Sequence, residues 1–200
     1  MDLLRGQQIA QDVMMWLGPA CERITVAGSI RRQAPEVKDV EIVAISKKGA
    51  GAVALFKGSA DIIPEIDQRI DILIAEGQLA WDTGVRRNGP RYKRLIHCNS
   101  GVAVDLFLAT EENWGAIMAI RTGPQAYVKM LVSHGWDGGV MPPNMKQRDG
   151  YLWRHGMVVP VPTEADYFRE IGVQIWPPED RHPGRLRLWM KSQAAVARFE

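Results

Sequence analysis

From Asp39 to Ile45 the chain reads Asp-Val-Glu-Ile-Val-Ala-Ile, and this alternation constrains the fold more than any other feature. A β-strand turns successive side chains to opposite faces, so Asp39 and Glu41 share one face while Val40 and Ile42 point to the other. One face can be buried and the other presents two carboxylates. Just upstream, Arg23 to Ala27 is a short β-rich stretch that stops at Gly28-Ser29, while Lys47-Lys48-Gly49 bounds the second strand, Asp39 to Ile45. The local plan is strand, tight turn, strand.

A third acid falls in a similar setting. Arg94 to His97 and Val102 to Ala109 read as the arms of a hairpin turning at Asn99-Ser100-Gly101, with Asp105 inside the second arm. Three carboxylates on neighbouring strands repel one another unless divalent cations neutralise them. Hard, oxygen-preferring Mg²⁺ is the natural partner, and two such ions about 3.5–4 Å apart serve in-line phosphoryl transfer. Gly28-Ser29 at a strand end offers N–H groups and a hydroxyl to a phosphate, and Arg31-Arg32 offers guanidinium forks. An acid on a strand is usually solvated and a Gly-Ser is usually a turn. Their occurrence together, in this order, points to nucleotidyl transfer.

The remaining elements frame this core. Asp2 to Leu17 carries Leu3, Leu4, Ile9, Ala10, Val13, Met14 and Leu17 at helical spacing, with Asp2 as N-cap and Gly18-Pro19 as the stop. A turn and short helix are expected over Gly49 to Lys57, a β-rich run over Asp67 to Ala75, and a loop over Gly84 to Pro90. From Glu112 the texture changes. Helices are expected at Trp114–Ile120, Pro124–His134 and Glu164–Ile171, a small hairpin at Tyr151–Arg154 and Met157–Val159 around His155-Gly156, and a basic last helix near Leu186–Arg198. The expected architecture is α+β: a mixed sheet with flanking helices over 1–111, a small α+β lobe over 112–182, and a C-terminal helix over 183–200.

The chain has 200 residues, 46% hydrophobic and 24% charged, which fits a packed globular core and not disorder. Twenty-five Lys+Arg against 23 Asp+Glu leave +2, too mild to diagnose a polyanion binder, so any such site is a local cluster. No apolar run reaches the roughly 20 residues of a membrane span, and the N-terminus has no signal-peptide pattern. Cys21 and Cys98 form neither a disulfide framework nor a zinc pattern, and two buried inert thiols in a reducing, intracellular setting are expected.

The run Gly28-Ser29-Ile30-Arg31-Arg32, then Asp39-Val40-Glu41, then Asp105, then Thr122-Gly123 resembles the family X DNA polymerases, the polymerase β-like branch of the nucleotidyltransferases. Near the end, Glu164-Ala165-Asp166-Tyr167-Phe168, Ile171, Pro178 and Arg181 are similar to that family's closing helix and terminus. The resemblance covers residues 20 to 181. It implies a polymerase palm followed by a nucleotide-binding lobe, in a minimal form without the lyase and helix-hairpin-helix domains.

It also implies roles. Asp39, Glu41 and Asp105 would bind two Mg²⁺, for which Mn²⁺ could substitute, and Asp105 would help deprotonate a primer 3′-hydroxyl. Gly28, Ser29 and Arg32 would hold the triphosphate beside Lys38, and Ile120, Arg121, Thr122 and Gly123 would meet the nucleotide where the second lobe begins. The expected partners are a DNA primer–template and dNTPs, with the protein acting as a monomer in short-gap filling or repair. Where the family has Asp, this chain has Glu41; Ile120-Arg121 replaces the aromatic pair that polices the sugar. Val128 and Val132 replace polar residues that touch the base pair, so low fidelity is expected.

For DNA contact the candidates are Arg86, Arg87, Arg91, Lys93 and Arg94, five cations in nine residues, together with Lys129 in the second lobe. Arg181, Arg185, Arg187, Lys191 and Arg198 read as the charged side of a helix packing through Leu186, Leu188, Trp189 and Val196. The seven tryptophans are scattered in sequence and read as core anchors, the four histidines lack ligand spacing, and Asp61, Asp67 and Asp71 read as surface. Two other functions compete with a templated polymerase. One is a template-independent nucleotidyltransferase acting on another acceptor; the other is a non-catalytic DNA-end-binding module.

Overall fold

The structure, a computed structural model, describes residues 1–48, 64–84 and 88–196. The turn and helix expected over Gly49–Lys57, and Asp61, Arg86, Arg87 and Arg198, lie outside these residues, as does the Val196 side chain. The chain forms two compact units: Met1–Ile30 with Pro35–Ala109, and Arg31–Ala34 with the residues from Thr110 onward. The second division falls close to the expected 111/112 boundary. The C-terminal helix falls within the second unit.

The first unit is built on α1 (Leu3–Leu17), β1 (Cys21–Val26), α2 (Gly28–Arg31, whose last residue belongs to the second unit), β2 (Val40–Ser46), α3 (Glu65–Ala75), β3 (Leu79–Trp81), β4 (Tyr92–His97) and β5 (Val102–Leu108). Asp2 caps α1, its Oδ1 accepting from the Arg5 N–H at 2.8 Å. Ile9, Ala10, Val13 and Leu17 bury one stripe of that helix. The sheet order is β1-β2-β5-β4-β3, with β2 and β5 parallel and every other pair antiparallel. One face, through Val40, Ile42, Ala44, Val104 and Leu106, packs on α1 and α3 to make the core. The fold is therefore α+β with a mixed five-stranded sheet.

Residues 65–75 correct an expectation. The Ile-Asp-Ile-Leu-Ile run within them has the alternation and β-branching of a strand, yet the segment is helical. Ile66, Ile70 and Leu73, spaced by four and three, are fully buried on one side of α3. Tertiary burial at helical spacing overrides a β-rich composition. Asp67 in that helix is paired with Lys93 at 2.7 Å and is not merely surface.

The second unit contains α4 (Trp114–Thr122), α5 (Gln125–Val132), β6 (Met145–Arg148), β7 (Tyr151–Arg154), β8 (Met157–Val159), α6 (Glu164–Glu170) and α7 (Pro183–Val196). The three strands form an antiparallel sheet in the order β6-β7-β8. Tyr127, Leu131, Leu152, Tyr167, Phe168 and Leu186 anchor a second core. Gly115 is required there. A Cβ on it would sit 1.9 Å from the Thr163 carbonyl oxygen, so glycine alone lets α4 approach the segment that leads into α6.

In α7, Leu186 is buried and the Trp189 ring meets Trp176 edge-on at 6.3 Å, but Leu188 is 69% exposed, against expectation. Of the two thiols, Cys21 is buried, its pKa pushed by burial up to about 11, whereas Cys98 is exposed. Among the described residues no helix is long and apolar enough to cross a membrane.

Candidate functional site

The acids meet on the sheet face opposite α1 and α3. Glu41 lies directly beside Asp105 in the parallel β2–β5 ladder, and Arg94 lies opposite Asp105 in the antiparallel β4–β5 ladder. Glu41, Asp105 and Arg94 thus form one row across three strands. Asp39 immediately precedes β2. The next row is Val43, Phe107 and Tyr92, in which the Tyr92 and Phe107 rings stack at 5.0 Å.

Asp105 is held from two sides. Arg94 Nη1 donates to its Oδ1 at 2.8 Å and Oδ2 at 3.0 Å, and the Tyr92 hydroxyl donates to Oδ1 at 2.5 Å. Arg94 is itself fixed by Asp82, to whose Oδ2 its Nε donates at 2.9 Å, and these acids hold its pKa above the ordinary arginine value. Asp39 has the opposite balance. Burial pushes its carboxyl up, the negative charge of Asp105 pushes it further, and Arg94 and Lys38 offset only part of this. Negative charge is in excess at this face.

Gly28 closes the site on the β1 side. The Ala27 N–H donates to the Glu41 carbonyl at 2.8 Å, and Gly28 adopts φ +61°, a left-handed conformation that favours glycine. A Cβ on Gly28 would lie 1.9 Å from Glu41 Oε2. The Glu41 carboxylate therefore rests against the Gly28 backbone, with Ser29 next in the chain at the start of α2. Gly-Ser here is more than a turn, because it makes room for an acid.

The donor chemistry fits a hard divalent cation, since Glu41 and Asp105 hold adjacent strand positions and Asp39, just before β2, is raised by burial and by Asp105. As arranged, no group of three or more His, Cys, Asp or Glu side chains among the described residues is set to hold an ion. The oxygens of Asp105 turn instead to Arg94 and Tyr92.

The arginine pair has a different place from the one expected. Arg31 and Arg32 belong to the second unit. Arg31 Nη1 donates to Thr122 Oγ1 at 2.6 Å, and Arg32 Nη1 donates to the Thr122 carbonyl at 2.7 Å, putting two cations on the C-terminus of α4. Arg31 Nη2 also pairs with Glu164 Oε2, whose Oε1 accepts from Arg181 Nη1 at 2.6 Å. Arg181 is 2% exposed, gives its Nε to the Trp176 carbonyl at 3.0 Å, and lies 5.2 Å from the Phe168 ring centre. It is buried, not part of a charged helix face. Thr122-Gly123 is thus the end of α4, with Thr122 fully buried and Ile120 and Arg121 in the last turn.

The cation patch does not stand as one surface. Lys93 is buried, paired with Asp67 and donating to Asn88 Oδ1 at 3.1 Å, so it is not exposed for phosphate contact. Arg94 is committed to Asp82 and Asp105. Arg91 and Lys38 are exposed in the first unit, and Lys129 is exposed on α5 in the second. Sequence reading missed Tyr92 and Arg94 as partners of Asp105, and Asp82 as the partner of Arg94. Strand alternation from Asp105 across the Asn99-Ser100-Gly101 turn could have found Arg94. Compared with protein-family models and with curated proteins, the chain has no match.

Proposed function

We propose that the protein is a nucleotidyltransferase that adds dNTPs to a DNA primer 3′-hydroxyl, using Asp39, Glu41 and Asp105. The observation that carries this is the Glu41–Asp105 pair on adjacent parallel strands, with Asp39 raised by burial and by Asp105. Carboxylates drawn together on a rigid sheet, one of them raised by burial and by its neighbour, suit a site that receives cations. The order of motifs supports the polymerase β-like resemblance.

Asp39, Glu41 and Asp105 would hold Mg²⁺, which when bound lowers the pKa of the attacking hydroxyl and neutralises charge on the triphosphate and leaving pyrophosphate. Asp105 is the proton acceptor, oriented by the Tyr92 hydroxyl and by Arg94. Asp82 keeps Arg94 in place through a separate nitrogen, so the guanidinium remains anchored if its bonds to Asp105 loosen. Gly28 and Ser29 would receive the triphosphate beside Glu41.

A second mode, transfer without a template, is favoured by one observation. Val128 and Val132 on α5 pack against the second core and present no polar group for reading a base pair. Primer extension on gapped, recessed and single-stranded DNA, with dNTPs and NTPs in Mg²⁺ and Mn²⁺, tests both. Extension that follows the template and is lost in Asp105→Asn supports the polymerase. Template-indifferent addition lost in the same variant supports the second mode, and no incorporation under any condition overturns both.

A further inference from the structure

We infer that the outer face of the β6–β8 sheet is a stacking surface for single-stranded nucleic acid, with Trp153 as the base platform and Lys146 as the phosphate contact. Register decides which residues share that face. Lys146 pairs with Trp153, Trp153 with Val158, and Arg148 with Tyr151. Alternation along each strand places all five on one side. The opposite side carries Met145 and Leu152, both buried in the second core. Two cations and two aromatic rings therefore meet on a sheet surface although they are scattered in sequence.

The partners of these groups leave the surface cationic. Among the described residues no carboxylate pairs with Lys146, and the exposed Arg148 has only its neighbour Asp149, itself exposed, at 3.1 Å. Trp153 is half-exposed, and its indole N–H donates to the Arg148 carbonyl at 3.1 Å. That bond spends the ring's one polar group and fixes its orientation.

A cavity of about 290 Å³ adjoins this face, lined by Trp153 and Lys146 together with His134, Asn144 and His155. The His155 N–H donates to the Asn144 carbonyl at 3.2 Å, and His155 holds φ +50°, a left-handed backbone for a residue that has a Cβ. Trp136 is 70% exposed and its ring packs on His134 at 4.3 Å.

The occupant must satisfy flat apolar rings, the hydrogen-bonding capacity that the Asn144 Nδ2–His155 Nε2 contact at 3.4 Å leaves over, and nearby cations together. A nucleotide does so: its base stacks, its edge hydrogen-bonds and its phosphate meets Lys146. An acidic peptide would use the cations and leave the rings idle. A duplex keeps its bases stacked on each other, so the strand must be single. The inference lies wholly within the second unit and does not depend on the three acids of the first.

The test is fluorescence anisotropy of a 5′-labelled dT₁₀ with the full chain, wild type against Trp153→Ala, Trp153→Phe and Lys146→Ala, across a salt series. Stacking of one base predicts binding about 5- to 150-fold weaker in Trp153→Ala and largely restored in Trp153→Phe. Lys146→Ala should reduce the salt slope by about 0.7. Wild-type affinity in both Trp153→Ala and Lys146→Ala overturns the inference. So does equal binding of a poly-glutamate peptide that is insensitive to Trp153→Ala.

Discussion

Two clusters of arginine and carboxylate, one in each unit, treat their acids in opposite ways. Glu164 in the second unit sits between Arg31 and Arg181. Burial pushes its carboxyl up, but hydrogen bonds from the two guanidiniums outweigh this and hold it below the ordinary glutamate range. In the first unit Arg94 must serve Asp82 and Asp105, while Asp39 stands close by and is raised. Where cations outnumber acids the cluster is an internal clasp. Where acids outnumber cations the protein tolerates repulsion that does not help it fold, and such a place is suited to function.

The largest effect expected from this contrast is on activity. Asp105→Asn should lower primer extension about 10²–10⁴-fold, the range for losing a positioned general base, while leaving the urea midpoint near that of wild type. A variant that unfolds instead would show that Arg94–Asp105 is a clasp like the other. Next is Glu164→Ala, which strands the buried Arg181 guanidinium and should cost about 3–5 kcal/mol in urea unfolding. A change below about 1 kcal/mol would show that the network contributes little.

Gly28→Ala should cost about 1–3 kcal/mol from the left-handed backbone, and should reduce extension because the new methyl displaces the Glu41 carboxylate. Full activity with normal stability would mean that Glu41 does not rest there in solution.

The smallest effect is the response to acid, and its sign differs between the units. Glu164, depressed in the fold, contributes stability above its unfolded pKa that is lost as pH falls through its folded value. Asp39, raised in the fold, contributes stability that is fully present below its unfolded pKa and is lost as pH rises through its folded value. Urea melts followed by amide NMR signals from each unit, from pH 7 into the carboxylate range, should show the second unit losing the Glu164 contribution. Asp39→Asn should raise the first unit's midpoint at pH 7. Parallel behaviour of the two units would erase the contrast.

Much of the frame was legible because it is local. The stripe Ile9, Ala10, Val13 and Leu17, the Asp2 cap, the alternation about Glu41 and the Asn99-Ser100-Gly101 hairpin all depend on neighbours in sequence. Residues 65–75 misled because Ile-Asp-Ile-Leu-Ile satisfies both periods locally, and only burial of Ile66, Ile70 and Leu73 against α1 and the sheet selects the helix. The partners of Arg31 and Arg32 lie about ninety and more residues away, so the pair reads as a free phosphate fork until the fold supplies Thr122 and Glu164. The Lys146–Trp153 neighbourhood was hidden for the same reason: cross-strand register, not spacing, creates it.

The placement of Arg31–Ala34 in the second unit makes that unit discontinuous in sequence. A fragment beginning at Thr110 would carry Glu164 and Arg181 but lack one of the two guanidiniums that balance the carboxylate, and would leave the end of α4 without either of its arginines. Dissection at the 109/110 junction is therefore not a clean cut between folding modules. A four-residue insert borrowed from the N-terminal half completes the C-terminal one, and a split protein should need that strap supplied by its other half before the part from Thr110 onward reaches full stability.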